Sequence, residues 1–211
     1  KDAMNINILH VTVHLGGGIG SVVNSWVDRD TKNNHKILCL AHTYSGVPND
    51  KTVEYLRGKD SYISEEIEKS DIVVIHFWNH PLLFEFLVNF SFPPCRLCFW
   101  SHISGLNAPY VFIDNLIALS DFFVFSSPIS LEAAEIKELS PFFNSRLSTI
   151  WTTGDIKDFL AIQKQEHSTF NIGCVGTLDY SKLHPKFVSM CSKINIPNAF
   201  FIVCGVCCYA I

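Results

Sequence analysis

Four glycines within five positions, Gly16, Gly17, Gly18 and Gly20, separate a β-branched run at residues 6–13 from an amphipathic stretch. Behind them Ile19, Val22, Val23, Trp26 and Val27 fall at helical spacing, which predicts a strand, a glycine turn and a helix over 20–27. Glycine lets backbone N–H groups come close to a ligand with no Cβ in the way. A helix N-terminus behind such a turn favours negative charge, so its natural guest is a phosphate group. The spacing is not G-x-G-x-x-G, and the Lys-Ser/Thr pair of a phosphate loop is missing. The same glycines therefore fit either a phosphate cradle at Gly16, Gly17 and Gly18 or a tight strand–helix turn.

Strand-like segments recur at 36–41, 53–56, 72–76, 96–101, 122–126 and 148–151. Helical patterns fall between them at 64–69, 81–90, 110–119 and 128–139, with Ser127-Pro128 reading as a cap followed by proline at the first helical position. This alternation predicts an α/β fold, a Rossmann-like open parallel sheet with helices on both faces. Ligands of such sheets collect at the carboxyl ends of the strands. The segments 16–20, 76–80, 101–105 and 126–127 should therefore lie along one edge. After Trp151 the character changes, and 170–176, 181–194 and 199–204 read as one further strand–helix–strand unit. The expected domains are 1–165 and an incomplete second α/β domain, 166–211.

Composition removes several alternatives. A hydrophobic content of 48% against 17% charged residues marks a folded chain with a sizeable core. A net charge of −4 without a Lys/Arg stripe argues against nucleic acid. No apolar run approaches the roughly 18 residues that a bilayer span requires, which leaves only peripheral membrane contact open. Among the eight cysteines, Cys39, Cys98, Cys174 and Cys204 lie inside apolar strands, where the thiol behaves as a small hydrophobe. Cys95 and Cys98 form a C-x-x-C whose offset of three would send the two side chains to opposite strand faces, whereas a zinc knuckle needs its pair at a turn. We expect no metal site and no disulfide framework, and a cytoplasmic location.

At this point five segments in order resemble a known family. They are Leu15-Gly-Gly-Gly-Ile-Gly20, Asp71-Ile-Val-Val-Ile-His76-Phe-Trp78-Asn79-His80-Pro81, Phe99-Trp100-Ser101-His102-Ile103-Ser104-Gly105, Gly154-Asp155-Ile156-Lys157-Asp158-Phe159 and Val175-Gly176-Thr177-Leu178-Asp179-Tyr180-Ser181-Lys182. Together they resemble the N-terminal half of a GT-B glycosyltransferase of the large family 4 group, over nearly the whole chain. The resemblance implies transfer of a hexosyl group from a nucleotide-sugar donor to a saccharide or other hydroxyl acceptor, with retention of configuration and no obligatory metal. It implies that Gly16, Gly17, Gly18, Thr177 and Lys182 hold the donor diphosphate and that His102 is the catalytic-site histidine. Thr177 stands where the family usually has arginine. The family's Glu-x₇-Glu segment would fall beyond Ile211, so the resemblance implies an acceptor half with only the opening of a donor half, inactive alone.

The residues themselves leave alternatives. His102 at a strand end can hydrogen-bond a sugar hydroxyl, or can be satisfied by backbone. His76, Trp78, Asn79 and His80 offer an aromatic face beside polar groups, which suits an acceptor, or they are an aromatic-rich loop ahead of a helix. Asp28-Arg29-Asp30 spells a metal–nucleotide motif of another transferase fold, but here it reads as a solvated helix end. A non-catalytic binding module that keeps only the acceptor-side pocket is the rival reading. A nucleotide-dependent oxidoreductase would want an acidic residue after the second strand, where Cys39-Leu40-Ala41-His42 stands instead.

Overall fold

A computed structural model describes residues 5–41, 53–55, 59–152, 157–176 and 184–205. Its main sheet holds seven strands: β1 (Asn7–Thr12), β2 (Asn34–Cys39), β3 (Val53–Tyr55), β4 (Ile72–Phe77), β5 (Leu97–Ser101), β6 (Phe122–Phe125) and β7 (Leu147–Thr149). They lie in the order β3-β2-β1-β4-β5-β6-β7, every pair parallel. The chain starts mid-sheet at β1, runs outward to β3, then returns beside β1 as β4 and continues the other way. Strand order thus reverses between β1 and β4, the place where loops diverge and leave a crevice at the carboxyl edge.

Period-two alternation gives the sheet two unlike faces. Leu9 and Val11 of β1, Val73, Ile75 and Phe77 of β4, Leu97 and Phe99 of β5, and Phe123 and Phe125 of β6 belong to one apolar cluster. Helices α2 (Asp60–Glu68), α3 (Pro81–Asn89), α4 (Asp114–Leu119) and α5 (Ala134–Phe143) cover it through Ile63, Ile67, Leu83, Leu116, Ile117 and Ile136. Phe99 and Phe123 stack with ring centroids 5.9 Å apart. The opposite face carries Ile8, Val74, Trp100 and Val124, with Ile37 and Cys39 nearby, and α1 (Gly17–Arg29) packs there through Val22, Val23 and Trp26. Burial on that face pushes the Cys39 thiol up to about 12, so it stays protonated and apolar.

Observed elements differ from the periodic reading mostly at their ends. Helix α1 begins at Gly17, three residues before the amphipathic stretch, because glycine at Gly17, with φ +64°, permits the turn into it. Residues 128–132 form a 3₁₀ turn capped by Ser127, whose Oγ accepts from Ile129 N, and α5 follows as a separate helix that carries Pro141 inside it. On α2, Glu66 is buried and joins the helix to β2 through Lys36 Nζ at 2.6 Å. The chain divides into units 1–156 and 157–211. The second unit holds α6 (Lys157–Leu160) and a parallel pair, β8 (Phe170–Val175) and β9 (Ala199–Cys204), with α7 (Phe187–Cys191) between them in sequence.

The glycines of α1 have separable roles. A Cβ at Gly20 would sit 1.9 Å from the Leu15 carbonyl oxygen, so only glycine lets the helix lie this close to the strand exit. A Cβ at Gly18 meets nothing within 4 Å. Gly20→Ala should therefore cost about 1–3 kcal/mol or more through forced backbone displacement, whereas Gly18→Ala should be neutral or stabilising by up to about 1 kcal/mol. Urea denaturation of the two variants checks this, and equal effects would contradict the packing described.

Candidate functional site

Three segments follow adjacent strands β1, β4 and β5 at the carboxyl edge: the glycine turn, residues 78–80 and His102. Gly16, Gly17 and Gly18 are exposed. Gly17 has φ +64°, a conformation glycine adopts without strain. The N-cap of α1 is Gly16, which has no side chain to cap the first-turn amides. Gly16 N donates instead to His14 Nδ1 at 3.0 Å.

His14 connects this turn to the next loop. Its ring meets Trp78 edge-on at 5.6 Å, and Trp78 in turn lies 4.8 Å from the ring of His80. His80 Nδ1 accepts from Leu82 N and so caps α3, with Pro81 at the first helical position. Burial, and then the neighbouring His14, lower the His80 pKa. Asn79 Nδ2 donates to the Pro109 carbonyl at 3.4 Å and ties this loop to the one after β5. Trp78 and Asn79 are only half-buried, whereas His76 is fully buried inside β4. A ligand at the edge can therefore meet Trp78 directly, but can feel His76 only through what His76 holds.

What His76 holds is His102. Its Nδ1 lies 2.9 Å from His102 Nε2, and its Nε2 lies 3.0 Å from His10 Nδ1. His10 continues to His35, Nε2 to Nδ1 at 2.9 Å, and His35 Nε2 lies 3.2 Å from Asp30 Oδ2. Four imidazoles thus form one line across β2, β1, β4 and β5. The register produces it: His35 faces Ile8, His10 faces Val74 and His76 faces Trp100, so each histidine is two residues beyond the partner of the one before. Diagonal neighbours of this kind are within reach of ring side chains. The rings stack at centroid distances of 5.2, 5.3 and 5.2 Å. Trp26 of α1 closes over His10 at 4.8 Å, and Trp100 lies 5.8 Å from His102 and 5.9 Å from His76.

Burial disfavours the charged form of these rings. It brings His102 down to about 4, and with His35 beside it His10 falls to about 3. His76 is held well below the ordinary histidine range by burial, then by His10 and His102. The sequence reading found His76 and His102 but missed His10 and His35. They share the parity of the inward-facing residues of their strands, and that was the available signal. Thr177 and Lys182 lie outside the described residues. Among the described residues no group of His, Cys, Asp and Glu could hold a metal ion.

No family model matches the chain, and no curated protein matches it by sequence. Among solved structures it is similar to the catalytic domain of starch synthase IV from Arabidopsis thaliana, determined bound to ADP and acarbose. The TM-score is 0.58 at 13% identity, over 95% of this chain and 68% of that one. The fold is that of a GT-B glycosyltransferase, as the sequence motifs implied. Among the described residues no helix is long and apolar enough to cross a membrane.

The depressed imidazole pKa values have a direct thermodynamic consequence. An unfolded histidine takes up its proton near pH 6.5, whereas His102 and His10 resist protonation until about 4 and about 3. The stability that neutral burial permits is complete above about 6.5 and is lost as pH falls toward the folded-state values, with up to about three protons taken up on unfolding. Urea midpoints should drop steeply between about pH 7 and pH 5. A flat profile there would mean that the row is already protonated in the folded protein.

Proposed function

We propose that this chain is the acceptor-side part of a hexosyltransferase that draws its sugar from a nucleotide-activated donor and transfers it, with retention, to a saccharide or other hydroxyl acceptor. The observation that carries the reading is the exposed glycine entry to α1, set beside the strand-order reversal of a GT-B sheet. First-turn amides there can neutralise a diphosphate through fixed N–H dipoles, with no metal required of the protein. A leaving diphosphate gains negative charge as the glycosidic bond breaks, so preorganised donors at this point favour the transition state over the ground state.

The remaining edge residues divide the other tasks. Trp78 offers an indole face for the apolar side of a pyranose ring, and His102 meets a hydroxyl. Asn79 and His80 shape the loop that presents Trp78, with Asn79 Nδ2 donating to the Pro109 carbonyl and His80 Nδ1 accepting from Leu82 N. The starch synthase to which the chain is similar was bound to ADP and acarbose, a nucleoside diphosphate and a saccharide, which supports the same pair of ligand classes here.

Amide shift titration of the 211-residue chain with nucleoside diphosphates tests this reading. Gly17 and Gly18 amides should move first, with affinity in the millimolar range, roughly −4 kcal/mol. Gly18→Ala, harmless to folding, should weaken that binding about tenfold by placing a methyl group on the exposed turn, about 1.4 kcal/mol. Saccharide binding with no response to any diphosphate would instead favour a non-catalytic binding module. Shifts confined to residues away from the turn would overturn the assignment.

A further inference from the structure

The row of imidazoles ends at one side on a carboxylate and at the other on the residue that faces the edge. A neutral imidazole has one N–H and one bare nitrogen, so in a head-to-tail line each bond dictates the next. Two arrangements exist. In one, every ring carries its proton on Nε2 and donates toward Asp30. In the other, every ring carries it on Nδ1 and donates away.

Asp30 breaks that symmetry. The second arrangement would set the bare lone pair of His35 Nε2 against a carboxylate oxygen at 3.2 Å, while the first sets an N–H there. The contact is bent instead of linear, but charge against N–H dipole needs no linearity to distinguish attraction from repulsion. Asp30 is itself held as an anion, well below the usual carboxylate range. The Asn33 amide at 2.7 Å from Oδ2 is the largest influence, and the Lys32 and Asn33 backbone amides donate to Oδ1 at 3.0 and 3.2 Å. Burial disfavours the charged form of His10, His76 and His102.

We propose that Asp30, acting through His35, His10 and His76, is a positioning residue that fixes His102 as the Nε2–H form, so that His102 Nδ1 meets the sheet edge as a hydrogen-bond acceptor. Nδ1 of His102 makes no hydrogen bond to any described residue. The proposal rests on the reading of His102 as a ligand-contacting residue. It narrows that role to accepting from a substrate hydroxyl, and makes the ring a poor partner for a phosphate oxygen. It also gives Asp30, on the far edge of the sheet, a function that its place at a helix end conceals.

The test reads tautomers directly. Long-range proton–nitrogen spectra of the ¹⁵N-histidine-labelled 211-residue chain near pH 7, assigned by single His→Gln variants, should show His35, His10, His76 and His102 all protonated at Nε2. Asp30→Asn supplies the decisive comparison. Its carbonyl oxygen stays with the Lys32 and Asn33 backbone amides, which turns the NH₂ toward His35 Nε2, while the Asn33 side chain keeps accepting from Ile6 N and gives up its bond to residue 30. The whole row should then reverse, with His102 protonated at Nδ1, and Asp30→Glu should restore the parent pattern. Should Asp30→Asn fail to fold, His35→Gln disconnects the carboxylate, and His102 should lose its single-form signal. A parent protein with His102 protonated at Nδ1, or an unchanged His102 signal in a folded Asp30→Asn or His35→Gln protein, would overturn the proposal. These spectra are independent of ligand. If the tautomers behave as stated but His102 signals do not respond to saccharide or nucleotide-sugar, the functional reading fails and the positioning chain stands.

Discussion

The even spacing of a parallel ladder is the constraint on which this molecule turns. Parallel strands advance in step, so a side chain on one strand meets, on the same face of the next, a neighbour displaced by a constant amount. Histidines placed at 35, 10, 76 and 102 each take the same displacement, two residues per strand. Three equal steps then carry a line of polar rings from the amino edge of the sheet to its carboxyl edge. An antiparallel sheet, with its alternating close and wide pairs, would break such a line into unequal links. The glycine entry to α1 and the cover that Trp26 provides both follow from the same placement of β1 at the centre of the sheet.

That line resolves a problem of dielectric. A buried imidazole without a partner costs free energy, and a buried imidazolium costs more. Pairing each ring with the next gives the inner nitrogens of the row their partners without introducing a charge. The result is a carboxyl edge where His102 arrives neutral and the glycines at the start of α1 are exposed. In the function we propose, anion recognition and hydroxyl recognition fall to these chemically different groups, a strand or two apart. Lys36 and Glu66 meet on the other side of β2, where they hold α2 and take no part in the row.

Much of the fold was legible because it is periodic. The apolar runs at 72–76 and 96–101 and the apolar spacing after Gly20 located β4, β5 and α1 within a few residues. The edge segments were legible through the strand-end rule and through motifs such as Trp100-Ser101-His102. What escaped was long-range pairing. His10 sits among Leu9 and Val11 and reads as a polar accident in an apolar strand, and His35 follows two asparagines and reads as a turn residue. Nothing local joins them, since the contact between His10 and His76 spans 66 positions. Asp28-Arg29-Asp30 is a helix end, as its sequence suggests, with Asp30 at the C-terminal cap of α1, and only the fold brings Asp30 against His35. The helix at 128–139 was read as continuous because its apolar spacing is, while the backbone splits it at Ala133.

The unlike faces of the sheet also police its assembly. Phe77, Phe99, Phe123 and Phe125 fill one side, and the imidazoles with Trp100 fill the other. Sliding β4 by a single residue would exchange His76 with a phenylalanine neighbour. A ring with two polar nitrogens would then enter a hydrocarbon layer, and His10 and His102 would lose their partner in the same motion. Leucine and valine on both sides would tolerate such a slip far better, because one aliphatic chain replaces another at little cost. A polar seam inside a parallel sheet therefore acts as a ruler: it makes the misaligned sheet expensive, and the strands find their proper offsets because the seam closes only there.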